Sequence, residues 1–163
     1  MTLDQELVAR ATTVVERLKE QGLRMATAES CTGGLISAAL TAIPGSSDVL
    51  DRGFVTYSNE AKHELIGVPA DMIAEYGAVS EPVARAMADG ALAAARVDRA
   101  VSVTGVAGPG QSERKPAGLV FIGFAGKGIA TQVREHRFSG DRDAVRLASA
   151  LAALDMLVDA PLE

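Results

Sequence analysis

The sequence predicts an α/β fold, a three-layer sandwich in which helices flank a mixed, mostly parallel sheet. Strand-like and helix-like runs alternate over the first two thirds of the chain, which is typical of parallel strands joined by helices. Two consecutive strand-like runs then predict an antiparallel hairpin, and an amphipathic run predicts a closing helix. With 163 residues the chain is long enough for one core, so we expect a single domain over residues 1–163.

The elements of the first two thirds follow from hydrophobic spacing and from glycine and proline signals. Apolar residues at helical spacing predict a helix over 2–21, and Gly22 supplies its stop. Pro44 and Gly45 end the helix that follows the first strand. The predicted strands cover residues 23–29, 52–58 and 99–103, and the helices between them cover 31–43, 59–67, 70–77 and 81–97.

The last third begins with a glycine-rich loop over residues 104–118. The loop matches neither common phosphate-loop pattern, but long loops in compact domains are commonly functional or mobile. Two strands over 119–126 and 129–138 follow, separated by Lys127 and Gly128, and the closing helix covers 141–160.

Composition narrows the range of partners and locations. The net charge of -5 and the aromatic content of 4% oppose a nucleic-acid binder, which needs basic and stacking surfaces. The single cysteine forms no internal disulfide, the first residues do not resemble a signal peptide, and no uncharged apolar run is long enough for a membrane span. We therefore expect a cytoplasmic protein without nucleic-acid or membrane partners. A positive mean hydropathy favours a homo-oligomer, although a well-filled core explains it equally.

Three polar residues fall at the ends of predicted strands: Ser30, Tyr57 and Thr104. If these strands are parallel, the three residues converge at the edge where α/β sheets bind ligands. After Ser30, Gly33 and Gly34 allow main-chain N–H groups to approach an oxyanion or a phosphate. Close packing of a helix against the sheet explains the two glycines equally.

The stretch "AESCTGG" offers two adjacent nucleophiles, Ser30 and Cys31. A serine needs a base, and neither of the two histidines lies near the end of a predicted strand. Lys62 lies near the start of the helix after Tyr57, where the helix dipole and burial would favour a neutral amine; a solvated surface lysine is the simpler interpretation of the pattern alone. Cys31 fits a small buried hydrophobic residue, and the alternative is a thiol nucleophile with a histidine base.

Five segments, in order, carry a family resemblance: "AESCTGG", "GFVTYSNEAKHELIGV", "YGAVSEPVARAMADGA", "VSVTGVAGPG" with "KPAGLVFIG", and "SGDRDAVR". Together they cover nearly the whole chain and resemble the C-terminal domain of the CinA family in its stand-alone form. The resemblance implies a nicotinamide-nucleotide amidase, which hydrolyses nicotinamide mononucleotide to nicotinic acid mononucleotide and ammonia. The family's catalytic serine, tyrosine and lysine correspond to Ser30, Tyr57 and Lys62. The implied partner is a small-molecule pyridine nucleotide, with no metal and no cofactor.

Substrate contacts are expected from the turn after Ser30, from the glycine-rich loop and from the start of the closing helix. Arg142 and Arg146 lie four residues apart on one helix face and are candidates for binding a phosphate; pairing with Asp141 and Asp143 is the alternative. The loop contains "GPGQSERKP" where relatives usually have a "GPGGG" run. The expected binding set is Cys31, Thr32, Gly33, Gly34, Thr104, Gly105, Ala107, Gly108, Arg142 and Arg146.

The expected mechanism is nucleophilic catalysis. Lys62, helped by Tyr57, takes the proton of Ser30, which attacks the carboxamide carbon while main-chain N–H groups hold the oxyanion. Ammonia leaves, and water cleaves the acyl-enzyme. The rival hypothesis is a non-catalytic nucleotide-binding or interaction module linked to competence or DNA damage.

Overall fold

The computed structural model of the protein describes residues 2–159. The ends of the predicted domain, residue 1 and residues 160–163, lie outside the described residues, as does the predicted last residue of the closing helix, Ala160. The helices are α1 (Gln5–Gln21), α2 (Leu35–Thr41), α3 (Asn59–Ile66), α4 (Ala70–Tyr76), α5 (Glu81–Ala95) and α6 (Arg142–Asp159). The strands are β1 (Met25–Glu29), β2 (Leu50–Val55), β3 (Arg99–Gly105), β4 (Leu119–Gly126) and β5 (Ile129–Arg137).

The five strands form one sheet in the order β2-β1-β3-β4-β5. β1 pairs in parallel with both β2 and β3, whereas β4 pairs antiparallel with both β3 and β5. Half of the pairings are therefore parallel, and β4 alone is reversed relative to the other strands. The predicted mixed α/β class is confirmed. Because β1, β2 and β3 are parallel, their carboxyl ends meet at one edge.

Helices cover both faces of the sheet and complete the three predicted layers. α1, α2 and α6 pack together on one face, and α5 packs on the other face with α3 and α4 against it. Both interfaces are filled mainly by alanine, valine, leucine and isoleucine, which allows helices to approach the sheet closely. Because α3 packs on α5, its side chains approach the end of β1 from this face of the sheet.

Several element boundaries differ from the predictions for local reasons. α1 begins at Gln5 because the Asp4 carboxylate accepts the N–H groups of Glu6 and Leu7 at 2.9 and 3.1 Å. α2 begins only at Leu35, because Gly33 and Gly34 adopt left-handed φ angles of 59° and 103°. Ser30 is therefore followed by a turn of four residues rather than by a helix.

Candidate active site

The three polar residues at the strand ends come together as the parallel sheet requires. Ser30 directly follows β1, Tyr57 follows β2, and Thr104 lies near the end of β3. All three line a cavity of about 310 Å³ at this edge of the sheet. The cavity also receives Lys62 from α3 and Arg142 from α6, and the glycine-rich loop, whose first two residues belong to β3, forms much of its wall.

Ser30 and Lys62 form a direct hydrogen bond inside the protein. Lys62 Nζ lies 3.0 Å from Ser30 Oγ and donates to the carbonyl oxygens of Thr56 at 2.9 Å and Tyr57 at 3.3 Å. The lysine reaches this position from the first turns of α3. The hydroxyl group of Ser58 caps the start of this helix by accepting the N–H of Ala61 at 3.0 Å.

Lys62 is 1% exposed and forms no salt bridge with any carboxylate in the described residues. Burial lowers the pKa of Lys62 from its ordinary value, and the negative charges of Glu113 and Glu60 oppose this only partly. A neutral amine is a hydrogen-bond acceptor. The pair can therefore exchange a proton between Ser30 Oγ and Lys62 Nζ.

Tyr57 contacts Lys62 through its main-chain carbonyl group rather than through its phenol. Its side chain is 64% exposed, and the phenol oxygen lies 3.4 Å from Arg142 Nη2. Arg142 Nη1 also donates to the carbonyl oxygen of Gly108 in the glycine-rich loop. Tyr57 and Arg142 thus lie together at the mouth of the cavity.

Cys31 is buried, and its environment disfavours a thiolate. Burial raises the pKa of the Cys31 thiol to about 11, so the thiol is protonated at neutral pH. His63 Nδ1 bonds the carbonyl oxygen of Val68 at 2.8 Å, and His136 stacks on Phe138 with ring centroids 4.9 Å apart. Neither histidine is hydrogen-bonded to Cys31 among residues 2–159, so the thiol alternative lacks the histidine base on which it depends.

The residues of the expected binding set divide into two groups. Six of them line the cavity: Cys31, Thr104, Gly105, Ala107, Gly108 and Arg142. Thr32, Gly33, Gly34 and Arg146 do not line it.

Arg146 lies behind the turn, where Nε donates to the carbonyl oxygen of Cys31 and Nη2 to that of Thr32, both at 3.1 Å. The two arginines, although four residues apart on α6, therefore contact different parts of the site. Neither forms a salt bridge with Asp141 or Asp143 in the described residues.

Two acidic residues near the cavity were not predicted. Glu29 is fully buried beneath the turn that follows Ser30. Glu113 fastens the glycine-rich loop, because its carboxylate accepts the N–H groups of Ala78 and Val79 at 3.1 and 3.4 Å. In the sequence, Glu29 is visible only as an acid at the end of a predicted strand, and Glu113 only as a charge within the glycine-rich loop. Neither feature indicates which group the side chain contacts.

Within residues 2–159, no group of three or more histidine, cysteine, aspartate or glutamate side chains is arranged to hold a metal ion. Over the same part of the chain, no helix combines the length and the apolar character needed to cross a membrane.

Fold and site together define a three-layer α/β protein with a buried serine–lysine pair in a cavity at the sheet edge. The family profile of the CinA C-terminal domain matches residues 8–160. The chain therefore belongs to the CinA C-terminal domain family, and the resemblance noted in the sequence is confirmed.

Curated relatives fall into two length classes. The chain is 52% identical over 158 residues to the nicotinamide-nucleotide amidohydrolase PncC of Escherichia coli K12, with 94% of each chain covered. It is 54% identical over 145 residues to a CinA-like protein of Syntrophobacter fumaroxidans, with 88% of this chain but 34% of the relative covered. The chain thus spans about a third of the length of the longer relatives.

Solved structures of similar proteins share the whole fold. The competence/damage inducible protein CihA from Agrobacterium tumefaciens matches with a TM-score of 0.93 and 44% identity, covering 97% of this chain and 98% of that one. A competence-damaged protein (CinA) superfamily protein from Escherichia coli matches with a TM-score of 0.91 and 34% identity, covering 97% and 92%.

Proposed function

We propose that the chain is a nicotinamide-nucleotide amidohydrolase that converts nicotinamide mononucleotide and water to nicotinic acid mononucleotide and ammonia. The observation that carries this proposal is the buried contact of 3.0 Å between Lys62 Nζ and Ser30 Oγ inside a cavity. A serine paired with a neutral base is the arrangement that acyl transfer requires. The amidohydrolase relative, which this chain matches over nearly its full length, supports the choice of a nicotinamide nucleotide as substrate.

The proposed reaction proceeds through a serine ester. Neutral Lys62 takes the Ser30 proton as Oγ bonds to the carboxamide carbon, and the carbonyl oxygen becomes an oxyanion held by main-chain N–H groups of the turn or the glycine-rich loop. Lys62 then gives its proton to the amide nitrogen, the carbon–nitrogen bond breaks, and ammonia leaves. Water loses a proton to Lys62, attacks the ester carbon and releases the carboxylate, and Ser30 recovers its proton.

Arg142 is the residue that we assign to the substrate phosphate. It lines the cavity, and its guanidinium group is a suitable donor for phosphate oxygens. The neighbouring phenol of Tyr57 completes this side of the cavity mouth, from which it assists binding or proton transfer. Arg146 has a different proposed role, because two main-chain carbonyl groups of the turn already occupy its guanidinium group. We also propose that the protein forms a homo-oligomer and is located in the cytoplasm.

A direct test measures ammonia release from nicotinamide mononucleotide by the unaltered protein and by Ser30→Ala and Cys31→Ala. We expect Ser30→Ala to be folded and inactive, because no oxygen remains to form the ester. Cys31→Ala should retain activity within about tenfold, because this buried thiol contributes packing rather than chemistry.

Two outcomes would contradict the proposal. A folded but inactive Cys31→Ala beside an active Ser30→Ala would transfer the nucleophile role to the thiol. Nucleotide binding without ammonia release by the unaltered protein would favour the non-catalytic module instead.

A further inference from the structure

Glu29 is a fully buried acid, and it directly precedes the proposed nucleophile. Among residues 2–159 its carboxylate forms no salt bridge, and it is instead satisfied by four short hydrogen bonds and a longer one from Thr27 Oγ1 at 3.5 Å. Oε1 accepts Thr32 Oγ1 at 2.7 Å and the N–H of Ile36 at 2.9 Å. Oε2 accepts the N–H of Ser37 at 3.0 Å and Ser37 Oγ at 2.9 Å. A buried carboxylate that accepts this many hydrogen bonds is held in one position.

These contacts provide α2 with the cap that its own sequence lacks. The residue before α2 is Gly34, which has no side chain to accept the free N–H groups of the first turn. From its buried position beneath the turn, Glu29 at the end of β1 accepts two of these N–H groups, those of Ile36 and Ser37. The Glu29 carboxylate thus connects the end of β1, where the turn begins, to the start of α2, where the turn ends.

The turn is also held by two main-chain hydrogen bonds of its own, from the N–H of Gly33 to Ser30 and from that of Leu35 to Thr32, both at 3.0 Å, and by other elements. The N–H of Ser30 donates to the carbonyl oxygen of Val103 in β3 at 2.9 Å. Arg146 holds the carbonyl groups of Cys31 and Thr32 from α6. Glu29 joins β1 to α2 across the turn through two main-chain N–H groups, and a hydroxyl contact between Thr27 and Ser37 joins the same two elements.

The polar cluster around Glu29 has little room to rearrange. The hydroxyl groups of Thr27 and Ser37 lie 2.7 Å apart beside the carboxylate. Gly53 of β2 faces them, and a Cβ at this position would overlap both hydroxyl oxygens. The side chains around Glu29 therefore have little space into which they can move.

We propose that Glu29 is a positioning residue whose carboxylate fixes the turn 30–34 and so keeps Ser30 Oγ within hydrogen-bond reach of Lys62 Nζ. The catalytic consequence of this role rests on the proposed amidase function, whereas the structural role does not. Reacting groups must be held closely, since a displacement of about 1 Å can lower a rate by about 100-fold.

The isosteric variant Glu29→Gln isolates the carboxylate. An amide has only one accepting oxygen, and its NH₂ group only donates. Whichever way the amide is oriented, the N–H of either Ile36 or Ser37 faces the NH₂ group and loses its acceptor. The hydroxyl groups of Thr32 and Ser37 can turn to accept, but a main-chain N–H cannot. One end of the turn is thus released while side-chain volume is unchanged.

The experiment compares the full chain with Glu29→Gln and with a matched control, Leu7→Ala. Leu7 is buried in α1, which contributes no residue to the cavity, so this variant should lose stability while every hydrogen bond of the turn keeps its partner. Hydrogen exchange over residues 30–37 reports the turn directly. Steady-state kinetics with nicotinamide mononucleotide, and the rate at which a fluorophosphonate labels Ser30, report the consequence.

In Glu29→Gln we expect exchange over residues 30–37 to accelerate by about tenfold or more, and kcat to fall by about tenfold to 100-fold with KM nearly unchanged. Leu7→Ala should show neither effect while it remains folded. Glu29→Asp should not restore kcat, because its carboxylate is one methylene too short to reach α2. If Glu29→Gln does not fold, Ser37→Ala, which removes one donor, should show the same changes at smaller size.

Native exchange over residues 30–37 in Glu29→Gln, or a kcat equal to that of the control, would overturn the inference. If the unaltered protein released no ammonia, the proposed function would fail. The exchange and labelling comparisons would still decide the role of Glu29, because neither requires the nucleotide.

Discussion

At the scale of single residues, Lys62 has the environment that a general base requires. Its amine is buried among a hydroxyl group and two main-chain carbonyl oxygens, and no carboxylate of residues 2–159 forms a salt bridge with it. Burial is the main cause that lowers the pKa of Lys62. A lowered pKa means that a larger fraction of the Lys62 amine is neutral at a given pH below the ordinary value.

Replacement of Lys62 tests this assignment. Activity of the unaltered protein should rise with pH toward an apparent pKa below the ordinary lysine value of about 10.4, because only the neutral amine accepts the serine proton. Lys62→Arg keeps a charge that arginine does not lose, so it should be about as inactive as Lys62→Ala. The measurement is kcat/KM for ammonia release across a pH series, with the exposed Lys127→Arg as the control that stays active.

Substantial turnover by a folded Lys62→Arg would show that position 62 supplies only positive charge. The lysine-base mechanism would then be wrong, although the amidase proposal would survive.

The sequence could indicate these residues only in part. Ser30, Tyr57 and Thr104 were placed at one edge because strand ends are visible in hydrophobic patterning and parallel strands bring their ends together. Lys62 gained its proposed role from the family resemblance rather than from its pattern. Glu29 was missed because Thr27 and Glu29 alternate with Ala26 and Ala28, which is typical of a strand with one solvent-facing side, whereas all five residues of β1 are buried.

At the scale of elements, the position of α3 determines whether Lys62 reaches Ser30. α3 packs against α5, and its last residue, Ile66, lies against Gly90 in the interior of α5. A Cβ at Gly90 would overlap the carbonyl oxygen of Ile66, the last residue of α3. The glycine therefore allows α3 to lie close enough for its lysine to enter the site.

Gly90→Ala should destabilise the protein, whereas a change from glycine to alanine inside a helix usually stabilises it. Alanine normally stabilises a helix interior by about 1 kcal/mol relative to glycine, but here the added methyl group must displace the end of α3. We expect a lower melting temperature and a reduced kcat. The control is Ala93→Gly on the exposed side of α5, which should lower stability through helix propensity alone and leave kcat unchanged. A fully active and more stable Gly90→Ala would mean that α3 tolerates the shift.

The boundaries of elements illustrate why local sequence was insufficient. Residues 31–43 were predicted as one helix because small apolar residues continue through them, yet the helix begins at Leu35. The Gly33–Gly34 pair adopts left-handed conformations that a helix excludes, and the first free N–H groups of α2 are satisfied by Glu29 from β1. The start of α2 is thus determined by a tertiary contact.

At the scale of the whole molecule, the cavity is assembled by segments far apart in the chain. The turn after β1, the start of α3, residues 78–79, the glycine-rich loop and the start of α6 each contribute to its lining. Two side-chain contacts join these segments: Glu113 fastens the loop to Ala78 and Val79, and Arg142 joins the loop carbonyl of Gly108 to the phenol of Tyr57. The departure from the usual family loop sequence therefore includes a residue with a defined structural contact, Glu113.

The two arginines of α6 should separate substrate binding from positioning of the turn. Arg142→Ala should raise KM for nicotinamide mononucleotide, because a lost hydrogen bond to a charged group costs about 1.5 to 3 kcal/mol, or about 10- to 100-fold. Nicotinamide riboside, which lacks only the phosphate, should be hydrolysed by Arg142→Ala about as well as by the unaltered protein. Arg146→Ala should instead lower kcat for both compounds, since Arg146 holds the carbonyl groups of Cys31 and Thr32.

Steady-state kinetics of both variants on both compounds decide between the roles. If Arg142→Ala weakened hydrolysis of the riboside as much as that of the nucleotide, its contact with Gly108 would be its main function, and Arg142 would support the loop rather than bind the phosphate. If Arg146→Ala affected only the nucleotide, the phosphate would have to approach the guanidinium group that now lies behind the turn.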